Sequence, residues 1–126
     1  MSNPNEAPPW LREQLARYDQ LQQNLQSILV QKQQVDQDSS EVDRAIVELK
    51  KASENDMVYK SAGNILVKAK KEELMKELEE RKELSGTRST VLAKQEQRVR
   101  ESIKELSTKL EGALKSGSNT SAASSN

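Results

Sequence analysis

The chain has 126 residues, of which 33% are hydrophobic and 2% aromatic, with no Phe, so it lacks the large apolar side chains of a deep globular core. Its 20 basic and 20 acidic residues cancel, which removes any overall attraction to nucleic acid or to an anionic membrane. Cys and His are both absent, so disulfides, thiol nucleophiles and the commonest transition-metal ligands are excluded. What remains is a helical composition: Ala, Glu, Lys, Leu and Arg make up 59 of the 126 residues, close to the share found in coiled coils and long helices.

Residues 1–9 read as a short polar, disordered leader. Pro4, Pro8 and Pro9 stand where a signal peptide needs an apolar run, and Pro9 suits a first helical turn. From Trp10 to about Ser53 neither Pro nor Gly occurs, and a heptad register fits a helix over 10–53. Leu11, Tyr18, Leu25, Lys32, Ser39 and Ile46 take one seam position; Gln14, Leu21, Ile28, Val35, Val42 and Leu49 take the other. Nine of these twelve sites are apolar. A stripe that narrow on so long a helix requires a partner helix.

Residues 57–69 read as the only strand-like segment. Val58, Tyr59, Ile65, Leu66 and Val67 suit a pleated surface, and Gly63-Asn64 between them are residue types that tolerate positive φ in a tight turn. The expected element is a β-hairpin, marginal alone and open to other strands along its edges.

A second helix is expected over 70–114. Glu72 and Glu73 suit its positive end, and Glu72–Lys76, Glu77–Arg81, Glu96–Arg100 and Glu105–Lys109 have the favourable i,i+4 order. The apolar stripe is clear at Leu74, Met75 and Leu78 and again from Leu92 through Val99, Ile103, Leu106 and Leu110. It weakens between them through Arg81, Ser85, Gly86 and Arg88, where Gly86 marks a soft point. Residues 115–126, rich in Ser and Asn, are expected to be disordered.

Two helices of similar length around a short connection predict a mostly α fold, a long antiparallel two-helix coiled coil with one β-hairpin at the connection. Matching the stripes sets Leu49 against Met75, Ile46 against Leu78, Leu25 against Val99, Leu21 against Ile103 and Tyr18 against Leu106. Ser39 then falls opposite Ser85, so the two polar breaks coincide.

No catalytic constellation appears; the chain does not read as an enzyme, and no cofactor or metal is expected. Paired carboxylates such as Glu72-Glu73 on a charged helix are a solvated face. Lys50, Lys51, Lys68, Lys70 and Lys71 gather near the hairpin, but acidic neighbours interrupt them and a solvated surface accounts for them better than nucleic acid. Trp10 with Leu11 and Leu15 sits at the free end of the first helix, near Leu110, Ala113 and Leu114 of the second. This cluster reads either as a staple covering the last turn or as an exposed interaction tip. The hairpin residues Val58, Tyr59, Gly63, Ile65, Leu66 and Val67 are the candidates for lateral assembly, because unpaired strand edges invite addition of another chain.

The run Val58-Tyr59-Lys60-Ser61-Ala62-Gly63-Asn64-Ile65-Leu66-Val67, followed by Lys71-Glu72-Glu73-Leu74, resembles the hairpin signature and second-helix start of the prefoldin family. The resemblance covers about Trp10 to Leu114. Space between Ser53 and Ala69 for one hairpin rather than two is similar to the β class and not the α class. The resemblance implies an ATP-independent chaperone of two α and four β subunits, its hairpins closed into β-barrels. It further implies that the coiled-coil tips bind unfolded polypeptides and pass them to a group II chaperonin. A cytoplasmic location, with no nucleic acid or membrane partner, is expected from the balanced charge and from the absence of an apolar targeting or spanning run. Carried onto this chain, the client-binding residues are Trp10, Leu11, Leu15, Ile103, Leu106, Leu110 and Leu114. The alternative is a coiled-coil scaffold or tether that binds one folded partner.

Overall fold

The computed structural model describes residues 7–124, with side chains as far as Ser116. The elements run α1 (Pro9–Lys51), β1 (Val58–Ala62), β2 (Ile65–Ala69) and α2 (Lys71–Ser124). The first six residues of the expected leader and the last two of the expected tail lie outside the described residues.

α1 starts where proline chemistry dictates. Pro9 has no amide to leave unsatisfied at the first helical position, and the Pro8 carbonyl accepts the amides of Leu11 and Arg12, each at 3.0 Å. The helix ends at Lys51, with Lys50 and Lys51 in its last turn beside the negative end of the dipole. A reciprocal pair then closes the chain reversal. The Ser53 amide donates to Asp56 Oδ2 at 2.7 Å, and the Asp56 amide donates to the Ser53 carbonyl at 3.1 Å. Lys71 Nζ, at the start of α2, donates to the Ala52 carbonyl at 2.6 Å and so occupies an acceptor left over just past the end of α1.

α2 begins with Glu72 and Glu73 in its first turn and continues to Ser124 instead of stopping near 114. The low apolar content of that stretch removes packing, not helicity. An established helix extends without a new nucleation step, and no proline stands in its way.

The chain divides into two compact units, one built from residues 31–93 and the other from residues up to 30 and from 94 onward. In the unit of residues 31–93 the two helices pack antiparallel around a cluster of Val42, Ile46, Leu49 and Leu78. Val42 is 1% exposed, and Ala45, Leu74, Met75 and the strand residue Val58 pack against the cluster. Each large aliphatic side chain fully buried this way contributes about 1.5–3 kcal/mol. Leu49, Ile46 and Leu78 all belong to this cluster and Met75 packs against it, which is consistent with the expected antiparallel register.

In the other unit Ile28 and Leu106 are buried, whereas Tyr18, Leu21, Leu25, Val99, Ile103 and Leu110 are half-buried. Asn24, Ser27 and Ile28 line a shallow groove together with Gln95, Arg98 and Val99, consistent with the expected antiparallel register. Along α1 every expected seam position is half-buried or buried. On α2 the corresponding stripe runs through Met75, Leu78, Ser85, Ser89, Leu92, Glu96, Val99, Ile103, Leu106 and Leu110.

The hairpin is a two-stranded antiparallel sheet with Val58 opposite Ala69, Lys60 opposite Val67 and Ala62 opposite Ile65. The two-residue turn is Gly63-Asn64. Gly63 alone takes positive φ, at 62°, and no non-glycine residue among those described does so. A glycine of positive φ in the first central position followed by a residue of negative φ is the type II′ pattern, whose twist matches the flanking strands.

Candidate functional site

Successive side chains of a strand alternate between faces, so the register sorts the hairpin into two. Val58, Lys60, Ala62, Ile65, Val67 and Ala69 share one face; Tyr59, Ser61, Leu66 and Lys68 share the other. The first face meets the helices at its base. Val58 packs on the buried cluster, and Lys60 Nζ lies 2.8 Å from Glu77 Oε2 on α2. The expected Glu77–Arg81 pair is thereby replaced, because Glu77 serves the strand while Arg81 Nη2 reaches Asp38 Oδ1 on α1 at 2.7 Å. Beside the hairpin an open groove of about 500 Å³ has an apolar floor of Leu49, Ala52, Val58, Leu74 and Leu78, with Glu48, Lys60 and Arg81 at its rim.

Farther out, the hairpin is exposed among the described residues. Ile65 is 63% exposed and Leu66 is 71% exposed, on opposite faces, and Tyr59 and Val67 are exposed beside them. Each strand keeps one edge unpaired. Of the expected assembly residues, then, Tyr59, Ile65, Leu66 and Val67 present apolar surface and Gly63 shapes the turn. Val58 differs: it anchors the hairpin to the helices from within.

The expected client-binding residues divide in the same manner. Trp10, Leu15 and Leu114 are exposed, the last at 62%. Leu11, Ile103 and Leu110 are half-buried, and Leu106 is buried in the helix seam. The exposed three are therefore the ones accessible without any parting of the helices.

Among the described residues, no cluster of acidic side chains is arranged to hold a metal ion, and no helix is long and apolar enough to cross a membrane. Every deeply buried side-chain N or O atom among them has a hydrogen-bond partner. Sequence reasoning missed Asp38, Lys60 and Lys71 as residues that bind one element to another. The only signal available was their nearness to the chain reversal or to the polar break.

Two long helices joined by a single exposed hairpin define a class of hairpin-bearing coiled-coil protein. Comparison with known proteins makes the class specific. A family model described as prefoldin subunit matches residues 12–117. The chain is 41% identical over 109 residues to the prefoldin subunit beta of Archaeoglobus fulgidus, covering 86% of this chain and 94% of that one. It is 37% identical over 108 residues to the prefoldin subunit beta of Pyrococcus furiosus, covering 86% and 92%. The crystal structure of the prefoldin beta subunit from Thermococcus strain KS-1 superposes with a TM-score of 0.75 at 32% identity, over 90% of this chain and 97% of that one. The chain belongs to the prefoldin family, in its β class. That membership makes it a chaperone subunit.

Proposed function

We propose that this chain is the β-class subunit of an ATP-independent holdase. In this reading it assembles with an α-class subunit into a cytoplasmic hexamer of two α and four β chains. The observation that carries the reading is the hairpin, with apolar side chains exposed on both faces and both edges unpaired. A strand pair of that kind is stable only when covered, and edge-to-edge addition of other hairpins into a barrel satisfies edges and faces together. Assembly gathers several arms, and weak apolar contacts at Trp10, Leu15 and Leu114 on each then add into useful avidity for an unfolded chain without any single tight site. Transfer of the client to a group II chaperonin completes the proposed cycle. No step in it calls for catalysis.

The test is suppression of client aggregation by the hexamer, formed with a co-expressed α-class subunit. Trp10→Ser, Leu15→Ser and Leu114→Ser together are expected to abolish protection of several different denatured proteins while the mass of the complex stays unchanged. Protection that survives the triple change overturns the assignment of client binding to these residues. Capture of one folded protein, with no response to a panel of denatured ones, supports the scaffold reading instead.

A further inference from the structure

We propose that residues 83–90 of α2 form a built-in flexure, and that Asp38 of α1 is the clasp that holds it shut. Three observations converge on this stretch. First, the α2 side of the helix seam loses its aliphatic side chains there. Between Leu78 and Leu92 the α2 stripe passes through Ser85, which is 6% exposed, and the half-buried Ser89. α2 contributes no buried aliphatic side chain at this level, and Val35 of α1, 4% exposed, is the buried aliphatic of the seam there, so the apolar hold is one-sided.

Second, the backbone of α2 is weakened at the same place. Gly86 lies in mid-helix, and a Cβ built on it meets nothing within 4 Å, so packing does not require glycine. Thr87 Oγ1 donates to the Glu83 carbonyl at 3.2 Å, and Thr90 Oγ1 donates to the Gly86 carbonyl at 3.1 Å. Hydroxyls that bond back to the preceding turn compete with the helix's own ladder and favour bending. α1 contains neither Gly nor Thr along its whole length.

Third, one carboxylate spans the weak level. Asp38 Oδ2 accepts from Ser85 Oγ at 3.2 Å while Asp38 Oδ1 accepts from Arg81 Nη2 at 2.7 Å. Where apolar cohesion is one-sided, this two-oxygen bracket supplies a cross-helix restraint, and Lys82–Asp43 at 3.0 Å assists from the side. A helix that keeps a replaceable glycine, two back-bonded threonines and a polar seam at one level gives up stability for local yielding. The use of that yielding, adapting an arm to polypeptides of no fixed shape, rests on the holdase reading; the flexure itself does not.

Hydrogen–deuterium exchange on the assembled complex tests it. Amides of residues 84–91 are expected to show protection factors about tenfold below those of residues 74–80 and 92–98, since local opening follows local cohesion. Gly86→Ala is expected to raise protection in 84–91 by about fivefold, the helix-propensity difference between the two residues, and to leave 74–80 unchanged. Asp38→Ala is expected to lower protection in 84–91, and Asp38→Asn, which still accepts hydrogen bonds, to restore part of it. Uniform protection from 74 to 98 overturns the flexure; protection of 84–91 indifferent to Asp38→Ala overturns the clasp. Client capture enters none of these readouts, so this inference and the holdase reading fail separately.

Discussion

Lys71, the first residue of α2, donates its ammonium proton to the carbonyl of Ala52, one residue beyond the end of α1, at 2.6 Å. One side chain thus joins the two helices at the level where the hairpin leaves them. A charged donor on a partly buried acceptor is worth about 1.5–3 kcal/mol. Lys71→Met keeps the aliphatic stem and removes the donor, and is expected to lower stability by about 1–2 kcal/mol, read as a shift of the urea midpoint at unchanged slope.

The turn offers a second test. Gly63 holds φ at 62° with open space around it, so any cost of a side chain comes from the backbone and not from a clash. Gly63→Ala is expected to cost about 1–2 kcal/mol, and Gly63→Asn somewhat less, because Asn accepts positive φ in a tight turn more readily than Ala does. Thermal melting of the two variants side by side checks the order.

Leu78 is the α2 side chain at the centre of the buried cluster. Leu78→Ala is expected to cost about 2–5 kcal/mol, against less than about 0.5 kcal/mol for an exposed position such as Glu79→Ala. Denaturant unfolding of both variants measures the contrast.

Assembly is tested on the hairpin face that carries Ile65 and Val67. Ile65→Asp with Val67→Asp puts two carboxylates where a neighbouring strand pair would lie. Loss of the oligomer in sedimentation, with helical circular dichroism of the remaining chain retained, is the expected outcome. An unchanged sedimentation profile contradicts assembly through this hairpin.

The helix stripes were legible in the sequence because burial in a two-helix seam is decided by position in the heptad. Leu49, Ile46 and Leu78 needed no other information. The hairpin was legible for a related reason, since Val58, Tyr59, Ile65, Leu66 and Val67 make no sense as a polar connector. The electrostatic detail was not. Glu77 has Arg81 four residues on along its own helix, yet it pairs with Lys60, because the strand folds back over that face and the heptad does not record it. Asp38 sits beside the seam, not in it, and its role appears only once Arg81 and Ser85 are brought opposite.

The seam is buried in both units. Val42, Ile46, Leu49 and Leu78 are closed off from water in the unit of residues 31–93, and Ile28 and Leu106 are closed off in the other. Because neither unit has a deep interior, each of these side chains carries a large share of its unit's stability, and the chain tolerates few losses among them.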